Sequence, residues 1–120
     1  MCLISKRRFP QKAKEDIVCF KVLKRGHMVG TTWMTPFRYI PVETNKLLIA
    51  KECKTFSIHY PYNKGKGYIH AYAFKQFVRT NSYYERVFKA IIPKGTKYHI
   101  SRDGTEICAK KMFITNECSY

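Results

Sequence analysis

Period-two apolar alternation, two glycine-bearing turns and one helix-length apolar stripe predict an α+β fold. The expected form is a single compact domain, a twisted, mainly antiparallel sheet of about five to seven strands carrying one short helix. The strongest signal runs from Tyr83 to Thr115. Strands are expected over Tyr84–Ile92, Thr96–Ser101 and Ile107–Thr115, joined by Pro93-Lys94-Gly95 and Arg102-Asp103-Gly104-Thr105. Asp-Gly between apolar runs predicts a type I′ hairpin turn, which needs positive φ at both central residues. In the first turn Pro93 fixes φ and Gly95 can take positive φ, so this third of the chain reads as a β-meander.

In chain order, Lys6 to Lys14 holds five Lys/Arg and no acid. The segment reads either as a flexible arm or as a strand lead-in; loose termini favour the arm. The domain organisation expected is therefore a basic N-terminal segment over 1–14 and one α+β domain over 15–120. Asp16–Leu23 follows as a strand with apolar residues on both faces, Val18, Phe20 and Val22 against Ile17, Cys19 and Leu23, the pattern of a central strand. Met28–Trp33 reads as its return. Pro36 and Pro41 forbid a helix through Thr35–Pro41. Leu47-Leu48-Ile49-Ala50, within Asn45–Cys53, leans to strand, and Phe56–Tyr62 to extended chain. Ala71–Arg79 supplies the expected helix, its apolar face made by Ala71, Phe74, Phe77 and Val78.

Charge sets the functional expectation. Lys+Arg number 23 against Asp+Glu 8, a net +15. The excess is spread: 12 basic and 4 acidic residues precede Tyr60, and 11 and 4 follow it. Hydrophobic content of 45% rules out a disordered basic tail, so the positive field belongs to a folded domain and favours polyanion partners. The start Met1-Cys2-Leu3-Ile4-Ser5, followed by Lys6-Arg7-Arg8, lacks the apolar stretch of a signal peptide, and no run is long enough to span a membrane. Five irregularly spaced cysteines fit reduced thiols in the cytoplasm better than a disulfide framework.

The loop Asn63–Gly67 sets Lys64 and Lys66 between flexible positions, where backbone amides can approach phosphate oxygens. It lacks the spacing of a P-loop, and a plain solvated loop has the same composition. Tyrosines Tyr60, Tyr62, Tyr68 and Tyr72 surround it. Interleaved Tyr and Lys is how single-stranded nucleic acid is held, rings under bases and cations on phosphates. The candidate binding set is Lys64, Lys66, Tyr62, Tyr68, Tyr72, Lys94 and Lys97. His27, His59, His70 and His99 stand at no metal-ligand spacing with the cysteines, so neither metal nor cofactor is expected. Catalysis would need a distant pair such as Cys108 with His70 or His99. Glu106 resembles the strand-borne glutamate of ADP-ribosyltransferase-like folds, but the accompanying Arg and Ser-Thr-Ser elements are absent.

Met1 to Lys6, Ala13 to Leu23, Gly67 with His70, Ile92-Pro93-Lys94-Gly95-Thr96-Lys97-Tyr98 and Cys108-Ala109-Lys110-Lys111 form several blocks along the chain. Together they resemble small uncharacterised proteins of Bacteroides-type gut bacteria and their phages. The resemblance implies a bacterial or phage cytosolic origin and a compact strand-rich domain, and it carries no activity to transfer. The expectation is non-catalytic binding of nucleic acid or a nucleotide through a Lys/Tyr-rich face, in an accessory or counter-defence role. A module docking on an acidic protein partner is the rival, and a small enzyme the third reading.

Overall fold

The computed structural model describes residues 10–25, 33–34, 42–50, 68–80 and 84–118. They form one antiparallel sheet of nine strands: β1 Gln11–Lys12, β2 Ile17–Arg25, β3 Trp33–Met34, β4 Lys46–Ile49, β5 Ile69–Tyr72, β6 Glu85–Ile92, β7 Lys97–Ile100, β8 Glu106–Ala109 and β9 Lys111–Glu117. The spatial order is β1-β7-β8-β5-β2-β6-β9-β4, with β3 paired to the end of β2.

Behind this order are three long strands, each bent once. β1 and β2 are halves of one strand, and β6 and β7 are halves of its partner. Their pairing keeps one register throughout, from Gln11 opposite Tyr98, through Ile17 opposite Ile92, to Lys24 opposite Glu85. The third strand, β8 followed by β9, lies along the other edge of the second; β8 pairs with β7 and β9 with β6. β5 then joins β8 on one side to β2 on the other, so the pairings close a ring around the core.

The bends meet at one corner. Ala13 donates its N–H to the Thr96 carbonyl (2.9 Å) and accepts from Gly95 (2.8 Å), while Lys94 N–H donates to the Asp16 carboxylate (2.9 Å). Gly95 sits at φ +87, and Thr96 N–H closes the turn onto Pro93 (3.1 Å). On the third strand Lys110 marks the change of partners, its N–H reaching the Lys97 carbonyl and its own carbonyl taking Ala50 N–H. Ala13 is the right size for the inside of the fold: it is 3% exposed, where a longer side chain would hold the halves apart.

Inside the ring the core is made by alternate residues. Cys19 and Leu23 from β2 meet Phe88, Ala90 and Ile92 from β6, Ile69 and Ala71 from β5, Ile107 and Ala109 from β8, and Met112 and Ile114 from β9. On β2 one residue breaks the apolar series: Lys21, on the core side opposite Phe88, is only 7% exposed. Burial pulls its ammonium down to about 8 and pushes the neighbouring Cys19 thiol up to about 12.

Several expectations change. The sheet is mainly antiparallel and compact, as predicted, but the helix over Ala71–Arg79 is not formed. Ile69 and Ala71 are buried while His70 and Tyr72 are half-buried, the period of a strand, and β5 is needed to link β8 to β2. Among the described residues the helical part is the 3-10 turn Lys75–Phe77, and Phe74 and Phe77 remain exposed. The α+β class thus gives way to a sheet-dominated one. The meander is also revised: β7 and β8 form the expected hairpin, but Pro93–Gly95 is a corner, because its hydrogen bonds go to Ala13 and Asp16. Ile107–Thr115 is two strands rather than one. The Asp103-Gly104 turn is not type I′, since Gly104 (φ +78) has positive φ and Asp103 does not. Gly104 N–H bonds the Ser101 carbonyl (3.0 Å), a β-turn followed by a left-handed glycine. Asp103 works through its carboxylate, accepting from Ser101 Oγ (2.6 Å), Thr105 N–H (3.0 Å) and Thr105 Oγ1 (2.8 Å).

Asp16–Leu23 is the central strand expected, and the strand within Asn45–Cys53 is present as Lys46–Ile49. Of the basic N-terminal segment, residues 1–9 lie outside the described residues; Gln11–Lys12 are strand, which answers to the lead-in reading. Met28 and Phe56–Tyr62 also fall outside the described residues, as does Thr35–Pro41.

Gly95→Val and Gly104→Val should each lower stability by about 1–3 kcal/mol in urea unfolding, through backbone strain. A Cβ at either position meets nothing within 4 Å, so an unchanged midpoint would refute the positive-φ assignment. Lys21→Met should stabilise. The folded-state value of Lys21 lies below its unfolded value of 10.5, so the folded chain holds fewer protons between about 8 and 10.5. Its destabilising effect is complete below that window and fades as pH rises through it. At pH 7 the variant should gain up to about 3 kcal/mol, and the gain should shrink toward pH 10.5. An equal gain at both ends would show that the packing of the apolar side chain, not the buried charge, separates the two proteins.

Candidate functional site

Strand pairing places side chains from distant parts of the sequence in rows across one face. On the outer face of β1, β7, β8 and β5, Lys12 stands opposite Lys97, Lys110 stands beside Lys97, and Tyr68 beside Lys110. Each of the three lysines belongs to a different long strand, immediately next to its bend. Lys12 and Lys97 are exposed, whereas Lys110 is half-buried because its Nζ lies 4.3 Å from the centre of the Tyr68 ring. Tyr68 rests edge-on against His99, ring centres 5.2 Å apart, and burial raises its phenol above the usual range.

Like charges directly across an antiparallel pair repel, and a sheet normally avoids them. Here Lys12 faces Lys97 with Lys110 at its flank, and no member of the row is acidic. Lys14 and Lys94, both exposed, add charge at the same corner, partly offset by Glu15 and Asp16. The arrangement can take an anion along the row while a planar group stacks on Tyr68.

Of the residues named from sequence, Lys97 and Tyr68 are brought into this row, and Lys94 stands at the corner beside it. Tyr72 does not join them. It lies four residues further along β5, in a row with Ser101, Glu106 and Phe20. Burial and the Glu106 charge raise its phenol, while Arg79 opposes the rise. Tyr62, Lys64 and Lys66 lie outside the described residues. Lys12 and Lys110 were missed, because nothing local marks them. The usable signal was a lysine at each strand end, and only the register shows that those ends coincide.

Between these rows, Cys108 stands directly between His99 on β7 and His70 on β5. This unites the Cys–His pair that sequence left open, yet its chemistry is not that of a nucleophile. Cys108 is 0% exposed, and burial pushes its thiol up to about 12, so the thiolate is negligible at neutral pH. Among the described residues no three His, Cys, Asp or Glu side chains converge to hold a metal ion. Glu106 is half-buried, and burial together with the Asp103 charge raises its carboxyl.

Compared with known proteins, the chain matches no family model, no curated protein and no solved structure. Among the described residues no helix is long and apolar enough to cross a membrane.

Lys97→Glu turns the like-charge pair with Lys12 into an opposite-charge one. It should raise stability by about 0.2–1 kcal/mol in urea unfolding at low salt, and less at high salt. A loss of stability would mean that the row is not under repulsion.

Proposed function

We propose that this protein binds nucleic acid, without catalysis, on the outer face of β1, β7, β8 and β5. The observation that supports it most is the Lys12–Lys97–Lys110–Tyr68 row, three cations in register across three strands ending on an aromatic ring. A fold that holds lysines against one another is relieved when phosphates enter between them, so part of the binding energy comes from repulsion already present in the unbound protein. The net charge of +15 adds a long-range attraction that speeds encounter with any polyanion. The resemblance to proteins of gut bacteria and their phages fits such a role in a bacterial or phage accessory protein. Cys19, Cys108 and Cys118 are unbridged thiols, in keeping with the reducing cytoplasm we assign to it.

Titration of a labelled single strand at several salt concentrations tests this reading. Affinity should fall steeply with salt, and changing Lys12, Lys97 and Lys110 together to Ala should flatten the slope of log K against log salt by about two units, at about 0.7 per lost phosphate contact. Salt-independent binding, or a triple variant that binds as tightly as the parent, would overturn the proposal. Tight, salt-dependent binding of an acidic protein with none of nucleic acid would favour the docking-module reading instead.

A further inference from the structure

The segment leaving β5 carries aromatic surface that the lysine row does not use. Phe74 and Phe77 are 55% and 40% exposed, and their rings meet edge-on with centres 6.0 Å apart. This exposure is built in. Ala73 N–H is held to the Thr105 carbonyl (2.9 Å), Phe77 N–H to the Phe74 carbonyl (3.1 Å) and Val78 N–H to the Lys75 carbonyl (3.1 Å). The pair is flanked by Lys75 and Arg79, and from Ala73 to Tyr84 the sequence has no acidic residue. Arg79 returns close enough to Tyr72 to act on its phenol, so the segment folds back toward the β5 face.

Tyr68, just before β5, and His70 and Tyr72 within it are alternate residues and share its outer face, and Phe74 follows two residues after Tyr72. At about 3.3 Å per residue, Phe74 lies no more than about 20 Å from Tyr68. A line of rings, half-buried at His70 and Tyr72 and with Glu106 beside Tyr72, therefore leads from the lysine row to the Phe pair, with cations at both ends. A membrane surface would satisfy the cations and the apolar rings, but it gives no reason for ring faces to be spaced along a strand. Duplex nucleic acid hides its base faces. A single strand offers phosphates and unstacked faces at once.

We infer that Phe74 and Phe77 form a base-stacking clamp, and that the nucleic acid bound on the lysine row is single-stranded and reaches this clamp along β5. The inference rests on the polyanion reading above and adds to it the strandedness and the path. A base lodged at the Phe pair is held through its π-face, so the contact tolerates any sequence, and the phosphates remain with Lys12, Lys97 and Lys110.

Phe74→Ser with Phe77→Ser removes exposed rings only, and the melting curve verifies folding. Labelled single strands of about 4 and about 12 nucleotides, lengths within the site sizes of small single-strand-binding domains, and a duplex of similar length are titrated against parent and variant. The longer single strand should bind the variant about fivefold or more weakly with an unchanged salt slope, while the short strand and the duplex lose nothing. Undiminished binding of the longer strand, with the parent still binding steeply in salt, would overturn the clamp and leave the lysine row standing. A parent that binds no oligonucleotide would remove the polyanion reading and the clamp with it. Loss of binding to vesicles of anionic phospholipid, with single-strand binding intact, would identify the Phe pair as a membrane contact and overturn the inference.

Discussion

Three bent strands can share one core only if they bend at the same place, and the hydrogen bonds of Ala13 with Gly95 and Thr96 enforce that. Because register is unbroken across this corner, the half containing β1 and the half containing β2 are parts of one ladder turned on itself. A flat ribbon of this length would leave one face wet along its whole extent. Bending it brings β8 within reach of β5 and β5 within reach of β2, so the same inward alternation serves every wall of the ring. The positive φ of Gly95 and the small side chain of Ala13 are the local conditions for that closure.

The corner also decides where charge goes. Inside the bend there is room for Ala13 and the 7%-exposed Thr96; on the outer side the adjoining positions carry Lys12 and Lys97. Alternation requires this, since a residue next to an inward-pointing one points out. Lysine suits such a position because its stem can lie along neighbouring surface while the ammonium stays in water, and Lys110 does so over Tyr68. Lys21 is the opposite case. It sits on the inward side of β2, where alternation calls for an apolar residue, and its burial costs stability. No described acidic group contributes to its titration, so that cost is not offset by an ion pair there.

How much of this was legible in the sequence depends on the range of the interaction. The turns at Gly95 and Gly104, the strand Asp16–Leu23 and the β7–β8 hairpin were readable because each is specified within a few residues. The turn type at Asp103 was misread, since Asp-Gly serves two geometries and the carboxylate network with Ser101 and Thr105 selects the one observed. Ala71–Arg79 went wrong for a different reason: Ala71, Phe74 and Val78 fit a helical stripe, while Ile69 and Ala71 fit a strand. The choice was made by the need for a strand between β8 and β2, which no local window contains. Lys97 and Tyr68 were named because lysine and tyrosine recur near turns. Their juxtaposition, and the presence of Lys12 and Lys110 beside them, follows from pairings between segments far apart in the chain.

The two chemistries on the outer face of β5, β8 and β7 exclude one another by burial. At the corner the row is open and Lys12 and Lys97 are solvated, so their charge is available to a ligand at little desolvation cost. One row further in, His99 and Cys108 are almost wholly covered while His70 on β5 is half-buried, and the covering that raises the Cys108 thiol denies a substrate access to that thiol. Acid–base or nucleophilic work needs a group both reachable and near its working pKa, and Cys108 is neither. Stacking and phosphate contacts, as proposed for this face, need only reach and orientation, and the contacts of Tyr68 with His99 and Lys110 orient its ring. The His70–Cys108–His99 row, buried at Cys108 and His99, thus forms a packed footing beneath the Tyr68 ring, and the binding we propose falls to the lysines and rings that stand around it.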